Sequence, residues 1–332
     1  MANPINADVR LDERLTMISV AFTQDASDFI ADKEFPQVPV EVQGGKYVVY
    51  DRADLWREEM QKRADATQSA GGSWSLTDDS YLCDVWALHK DIGKQLRANE
   101  RPPIDLDRDA TEYLTQQALI RRDKSFVEEF FTDGVWTRDL DSSGDYTAWD
   151  DGGSTPIQDL ENEIIIQKKL TGKKPNKLVL GAEVWSVLKN HSDFIDRIKY
   201  SGGFGTNAVK FSTQALAALL ELDEVVIASG VSTTTEKGDA APEFSFIAGN
   251  NALLLYAAPR PSMLVPSAGY IFPWQGLNRL NGGGDGGAQS ITKFEMKEIG
   301  ADRIEIEMAY DMKVVAPDMG SFFKDAVDEI EA

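Results

Sequence analysis

A stretch of about 60 residues, 38–99, is the feature that most limits how this chain can fold. It opens with alternating valines and, after a Gly-Gly pair, resumes the extended pattern in KYVVY, which predicts two strands. The polar residues that follow carry opposite charges at helical spacing, Glu58 with Lys62 and Glu59 with Arg63. So long an excursion without a core of its own is uncommon in a compact monomer, and it indicates that something outside the chain supports it.

The first 35 residues have a similar character. They are mixed in charge and contain only short apolar clusters such as MISVAF. A segment of this kind forms a helix only by docking on another surface, so we interpret it as an N-terminal arm.

The segment RIEIEMAYDMKVVAPDMG, residues 303–320, alternates between apolar and polar side chains. Its apolar positions form one set: Ile304, Ile306, Met308, Tyr310 and Met312. Strict alternation over this length predicts a strand with one buried and one solvated face. No nucleophile and base occur together in it, so it is interpreted as framework.

Two helices are predicted in the middle of the chain. The first covers residues 107–132, where apolar side chains recur at helical spacing over about seven turns. The second opens at STPIQDL, with Thr155 and Gln158 spaced as a capping box and Pro156 in the first helical position. Gly172 is expected to end it.

Residues 177–258 change to alternating elements, which predicts a separate α/β lobe. The predicted strands are KLVL, EVVIA and ALLLYAA, and the predicted helices are AEVWSVLKN, SDFIDRIKY and TQALAALLEL. The glycine tract NGGGDGG follows, and then two extended segments, 291–298 and 303–315.

Composition excludes several classes of protein. The 34 basic and 55 acidic residues leave a formal charge of −21, which disfavours sequence-specific binding to nucleic acid. The N-terminus has charges where a signal peptide needs an apolar core, and no apolar run approaches membrane-spanning length, so a cytosolic site of synthesis and residence is expected. Cys83 is the single cysteine, so no intrachain disulfide is possible and a buried, reduced thiol is expected.

The order of these parts resembles the major capsid protein of tailed bacteriophages, with the Hong Kong 97-type fold. The resemblance is carried by LTGKKPNKLVLGAEVWSVLKNHSDFIDRIKY, by LLELDEVVIASGV and by AYDMKVVAPDMG, and the matching parts cover about half of the chain. It implies an α+β fold with an N-terminal arm, an extended hairpin called the E-loop, a peripheral domain with a long spine helix and β-sheet, and an α/β axial domain. The implied ranges are 1–37 for the arm, 38–100 for the E-loop, 101–171 with 289–332 for the peripheral domain, and 172–288 for the axial domain.

The resemblance also implies the function. The chain would be a structural protein, not an enzyme, that self-assembles as hexamers and pentamers into the icosahedral head shell enclosing phage double-stranded DNA. It would be located in the virion capsid after assembly in the host bacterial cytoplasm. Implied partners are further copies of the chain, a portal and in some relatives a decoration protein, with non-specific contact to DNA and no membrane. Because the arm begins at Met1, a separate scaffolding protein is expected.

Two other readings stay open at this point. An encapsulin, a bacterial nanocompartment of the same fold, loads enzymes instead of DNA. A cytosolic α/β enzyme that uses the 177–258 lobe belongs to a different class, and the sequence offers it no catalytic set and no cofactor motif.

One candidate metal site lies in DLDSSGDYTAWD. Asp139, Asp141, Ser143 and Asp150 fall at positions 1, 3, 5 and 12 of a calcium-loop pattern, with a glycine at position 6. Position 12 is Asp where the bidentate ligand is normally Glu, and the flanking helices of the motif are not evident. A solvated acidic turn is the default interpretation.

The remaining candidates are interpreted as structural. SGGFGTN, residues 201–207, lacks the Lys-Ser/Thr ending of a phosphate-binding loop. His89 and His191 lie about a hundred residues apart and form no metal-ligand cluster with cysteine. Some relatives cross-link subunits through a Lys-to-Asn isopeptide bond, but no Asn and Glu positions match the pattern around Lys62, so no catalytic residue is assigned.

Overall fold

The computed structural model describes residues 24–50, 52–100, 105–195, 212–238, 241–261, 266–277 and 289–328, which form an α+β fold. The helices are α1 (Ala31–Glu34), α2 (Arg52–Trp56), α3 (Lys94–Ala98), α4 (Leu106–Phe130), α5 (Pro156–Thr171), α6 (Ala182–Leu188) and α7 (Thr213–Leu220), with 3-10 turns at Ala26–Asp28 and Pro317–Met319. The strands are β1 (Gly44–Tyr50), β2 (Leu76–Leu82), β3 (Asp84–Gly93), β4 (Arg138–Asp141), β5 (Lys177–Gly181), β6 (Glu224–Ala228), β7 (Val231–Ser232), β8 (Ser245–Phe246), β9 (Ala252–Leu255), β10 (Gly269–Pro273), β11 (Gln289–Met296), β12 (Ala301–Val314) and β13 (Gly320–Lys324). Residues 1–23 of the predicted arm, the 201–207 loop, the glycine tract and the end of SDFIDRIKY lie outside the described residues.

The long alternating strand is confirmed as β12, the centre of a four-stranded antiparallel sheet. All five predicted inward residues, from Ile304 to Met312, are buried. β3 and β11 both pair with residues 301–308, so they occupy opposite edges of β12, and β10 pairs with residues 310–314. β12 therefore joins segments that are far apart in the sequence.

The predicted long helix is confirmed as α4. Asp105 caps its N-terminus by accepting hydrogen bonds from the amides of Asp107 and Arg108. Its buried side chains include Leu114, Phe126 and Phe130, and they pack on the inward face of β12. The Ser125 and Tyr310 hydroxyls, 2.9 Å apart, join helix and strand. The helix is thus fixed lengthwise on the sheet.

The first half of the excursion differs from what its sequence predicts. One strand, β1, replaces the two expected ones, and Val38 and Val40 instead donate single backbone hydrogen bonds to the carbonyls of Ile271 and Pro273. The helix-spaced charges at Glu58 and beyond lie in irregular chain, because α2 ends at Trp56. Residues 57–75 have almost no buried face, and a short helix without such a face is not stable in water.

The capping box predicted for the second helix is wrong, although its boundaries are right. α5 begins at Pro156, but the Thr155 side chain makes no capping hydrogen bond. Gly172 ends the helix in the left-handed conformation, with φ of 64°, as predicted. A side chain there would also collide with Trp56, whose ring lies 2.9 Å from the position of an added Cβ.

A mixed five-stranded sheet has the order β4-β13-β9-β5-β6. β5 and β6 are parallel, β9 is antiparallel to β5 and β13, and β13 is parallel to β4. The predicted strands KLVL, EVVIA and ALLLYAA are β5, β6 and β9, and the helices AEVWSVLKN and TQALAALLEL contain α6 and α7. The sheet thus combines the strands of the predicted α/β lobe with β4, which precedes the lobe in the sequence, and β13, which follows it.

This sheet separates two hydrophobic cores. Val179, Leu253 and Phe322 face the core that contains α4 and β12. The alternate residues on the same strands, such as Leu254 and Phe323, face a second core with α5, α6 and α7. Both sheets draw strands from the predicted peripheral and axial ranges, and the domain limits stay a prediction. No helix in the described ranges is long and apolar enough to cross a membrane.

Candidate assembly surface

The β1–β2 hairpin presents two different faces. Residues opposite each other in an antiparallel pair project to the same side, and Val48, Leu76 and Leu82 all belong to one side of the register. Their exposed fractions are 57%, 53% and 63%. Lys46 and Asp78 form an ion pair of 2.5 Å between them. This outward face is an apolar stripe interrupted by one ion pair.

The inward face anchors the hairpin to the body. The rings of Tyr47 and Tyr81 both stack on Phe272 of β10, with centroid separations of 5.6 and 4.9 Å. Tyr47 also donates a hydrogen bond of 2.9 Å to Asp79. Gly45 leaves room for the Tyr81 ring, since a Cβ at this position would lie 2.6 Å from the Tyr81 hydroxyl. Aromatic stacking therefore fixes the direction in which the hairpin leaves the sheet.

Cys83 lies where the chain passes from β2 into β3. Its amide donates to the Gln43 carbonyl, and the Gln43 side chain donates back to the Cys83 carbonyl. The thiol donates to the Phe272 carbonyl, with sulfur and oxygen 3.1 Å apart. Burial, followed by the nearby Asp311 and Asp84 carboxylates, raises the pKa of the thiol to about 12. The prediction of a buried, reduced cysteine is confirmed.

Ion pairs hold the start of α4 to the edge of the same sheet. The Arg97 guanidinium donates two hydrogen bonds to the Asp107 carboxylate, at 2.7 and 3.0 Å, and its Nε lies 3.1 Å from Asp302. Lys293 on β11 contacts Asp107 at 2.6 Å. The Arg97 hydrogen bonds, followed by that of Lys293, hold the pKa of Asp107 well below its usual range. These contacts lie where β3 ends at Gly93, the end opposite to the one that joins the hairpin at Cys83.

The residues of the calcium-loop pattern have protein partners instead. Asp139 accepts from the Gly134 amide at 2.7 Å, and Asp150 accepts from the Asp328 amide at 3.3 Å. Asp141 accepts from the Ser143 amide at 2.8 Å, which lowers its pKa. Among the described residues, no three His, Cys, Asp or Glu side chains come together as a metal-binding group.

The structure contains a Ser-His pair that the sequence did not reveal. The hydrogen bond between the two residues runs in the wrong direction for the histidine to act as a general base. Ser154 Oγ lies 3.1 Å from His191 Nε2, and both residues are buried. His191 Nδ1 accepts from the Asp193 amide, so the ring proton resides on Nε2. The histidine therefore donates to Ser154, whose hydroxyl in turn donates to the Asp151 carbonyl at 2.7 Å. A general base would instead have to accept the serine proton.

Lys62 and His89, the other positions considered in the sequence, belong to different parts of the structure. Lys62 lies in the exposed part of the excursion, and His89 lies on β3 with its ring 3.9 Å from Asp91. The outward stripe of the hairpin was missed, because KYVVY and SLTDDSYL place the stripe residues on different strands. Once the two strands are paired, the even-numbered positions of both reveal it.

Two phage proteins are similar to this chain in sequence. The major capsid protein of Burkholderia phage BcepMu is 23% identical over 251 residues, which cover 74% of this chain and 76% of that protein. The major capsid protein of Pseudomonas phage JBD67 is 24% identical over 329 residues, or 97% and 99% of the two chains. No family model matches the chain.

Solved structures agree on the fold. A phage-related protein from Bordetella bronchiseptica RB50 superposes with a TM-score of 0.67 at 20% identity, covering 91% of this chain and 93% of that one. The capsid protein of Cyanophage P-SCSP1u gives a TM-score of 0.64 at 10% identity, with 95% and 93% covered. An encapsulin from Synechococcus elongatus PCC 7942 gives 0.57 at 11% identity, with 100% and 99% covered. The chain has the Hong Kong 97-type fold, as its sequence predicted.

Proposed function

We propose that this chain, a homologue of phage major capsid proteins, is the subunit of a closed capsid shell. The observation that carries the proposal is the hairpin, which extends from a fixed base and exposes an apolar stripe to solvent. Its proposed role is structural: the fold provides surfaces that are buried between subunits, and it catalyses no reaction.

The hairpin and the irregular chain beyond it leave several large apolar side chains exposed. Val48, Leu76 and Leu82 share one face, and Met60 and Trp74 on the irregular chain beyond it are 92% and 62% exposed. Exposed apolar side chains gathered on one projecting element indicate a surface that another molecule covers. A second copy of the chain is the simplest partner, because closed symmetric assembly supplies the same cover to every subunit.

In the proposed shell, the copies form hexamers and pentamers of an icosahedral head that encloses double-stranded DNA. The charge of −21 suits a container, because an inner surface that bound phosphate tightly would resist the movement of DNA. We further propose a separate scaffolding protein, a portal and an optional decoration protein as partners, and assembly in the cytoplasm of the host bacterium. The E-loop, peripheral and axial ranges given by the sequence resemblance are retained as part of this proposal.

The test is negative-stain electron microscopy and sedimentation of the chain expressed alone. We expect round shells, tubes or hexameric rings. The double variant Val48→Asp/Leu76→Asp should abolish these species while keeping the far-UV circular dichroism spectrum, because both side chains are exposed. The matched control Val48→Ile/Leu76→Met keeps the stripe apolar and should assemble. A compact monomer or dimer, with no large species even beside a candidate scaffold, would overturn the proposal.

An encapsulin shell is the second candidate, favoured by the full-length superposition on the Synechococcus protein. The contents of the particles decide between the two. Particles that protect double-stranded DNA from nuclease support the phage head, whereas particles that retain one enzyme through purification support the nanocompartment.

A further inference from the structure

Residues 24–37, here called the strap, run across the body before the chain enters the hairpin. The Gln24 side chain donates to the carbonyl of Val231 and accepts from its amide, at 2.8 Å in both cases. Phe35 is buried, with its ring centroid 4.5 Å from that of Phe130 on α4. The strap is therefore docked on its own subunit.

A buried carboxylate on α4 receives the middle of the strap. Asp123 accepts from the amides of Ile30 and Ala31, at 3.1 and 2.9 Å. These are the amides at the start of α1, so Asp123 supplies the cap that the strap itself lacks. Near it, Arg122 forms an ion pair with the exposed Asp32 of the strap.

A second buried carboxylate belongs to the strap itself. Glu34 is 1% exposed, and neither of its oxygens has a hydrogen-bond partner among the described residues. The nearest cation, the Lys177 ammonium on β5, lies 3.7 Å away, an ion-pair distance that is too long for a hydrogen bond. That ammonium donates instead to the Lys33 carbonyl at 2.6 Å and lies 3.4 Å from Glu224 of β6.

The position of Glu34 leaves space for water beside it. A cavity of about 380 Å³ opens there, with Lys33, Lys177 and Asp223 among its lining residues. Water from this cavity can solvate the carboxylate when the strap moves outward. The docked position therefore suits a neutral Glu34, and the undocked position suits a charged one.

We propose that the strap is a proton-controlled latch: it is held to the body when Glu34 and Asp123 are protonated, and it loosens as the pH rises through neutrality. Both carboxyl groups lie on the docked contact, one on each side of it. Val38 and Val40, which follow the strap, keep their own hydrogen bonds to β10, so the strap can loosen without releasing the start of the hairpin.

The charges around Glu34 and Asp123 agree with docking that is stronger at low pH. Burial raises the pKa of Glu34 from 4.5 to about 7, helped by Glu224 and opposed by Lys177 and Lys33. Burial, with Asp32, raises the pKa of Asp123 from 3.8 to about 6 against the two amides and Lys33. A group whose pKa is higher in the docked state binds a proton on docking. Docking is therefore fully favoured below about 4.5 and weakens as the pH rises through 7.

Hydrogen–deuterium exchange of the full chain measures the latch. The amides of residues 29–36 should exchange faster at pH 8 than at pH 5, after correction for the intrinsic rate. The shift at Glu34 alone corresponds to roughly 50-fold, and that at Asp123 to a further factor of about ten. A peptide from β12 serves as the internal reference and should show no such change.

Glu34→Gln is neutral at every pH and should remove most of the pH dependence while keeping the strap protected at pH 8. Asp25→Asn changes an exposed carboxylate of the strap that makes no capping hydrogen bond, and it should retain the wild-type profile. Equal wild-type protection at pH 5 and pH 8 would overturn the proposal, as would a Glu34→Gln profile with the wild-type slope. The wild-type profile decides by itself if the Gln variant fails to fold.

Discussion

The ring of Tyr81 lies almost parallel to the ring of Phe272, with an interplanar angle of 14° and centroids 4.9 Å apart. Tyr81 belongs to the hairpin and Phe272 to β10, so this stack joins the projecting element to the sheet. The direction of the hairpin, and with it the position of the apolar stripe, depends on a few aromatic contacts.

Phe272→Ala should lower the free energy of unfolding by about 3 kcal/mol, because it removes a buried ring and leaves a cavity under two tyrosines. Urea denaturation of the unassembled subunit measures the change. Phe244→Ala, which removes a ring that is 64% exposed, is the control and should cost less than about 0.5 kcal/mol. Equal effects of the two changes would contradict the role given to Phe272.

Asp107→Asn should destabilise the subunit at neutral pH by about 1 kcal/mol, since its ion pairs are partly exposed. The pKa of Asp107 is lowered in the folded state, so its contribution is present above the ordinary value of 3.8 and is lost as the pH falls below it. Urea denaturation at pH 7 and pH 3 should thus show a smaller difference between variant and wild type at the lower pH. Asp109→Asn, on the same helical turn but exposed, should have little effect at either pH.

Cys83 should resist alkylation in the native protein. Burial and a pKa raised to about 12 leave almost no thiolate at pH 8, so iodoacetamide should add no mass to the folded chain. In concentrated urea, one adduct should appear on the single cysteine. Rapid native labelling would mean that the base of the hairpin opens readily.

Calcium should leave the melting temperature unchanged. The residues of the calcium-loop pattern do not come together as a metal-binding group of three or more ligands in the described part of the chain. Differential scanning fluorimetry with calcium, and with magnesium as the control, tests this. A calcium-specific rise that Asp141→Asn abolishes would restore the calcium-loop interpretation.

Local sequence patterns predicted which helices and strands form, but they did not predict which strands pair with each other. The alternation in β12 and the helical spacing in α4 are properties of one segment, so the sequence reveals them directly. The pairing of β3 with β12 and of β13 with β4 and β9 joins residues far apart in the chain, and no local signal specifies it. The capping box failed for a related reason, since the spacing of Thr155 and Gln158 does not fix the direction of the Thr155 side chain.

The candidate site was likewise predicted only where a local sequence pattern marks it. The excursion was recognised because its sequence predicts no core of its own, but its functional face required the register of β1 with β2. Glu34 looks like an ordinary surface residue in ADKEF, and only the packing of the strap against β5 reveals that it is buried. Burial of a polar residue is a tertiary property, which explains why the latch has no signature in the sequence.

β13 lies between β4 and β9 in the five-stranded sheet, although it follows both in the chain. A ribosome releases this strand after every other strand of that sheet, so a nascent chain has a gap in the layer that divides its two cores. The body must therefore complete folding after synthesis of β13. Because this closure pairs residues far apart in the chain, such as Arg138 with Ser321, it is slow compared with the formation of α4. The sheet that holds the hairpin has β12 as its last strand, so the apolar stripe of a nascent chain is in place before the layer between the two cores is closed.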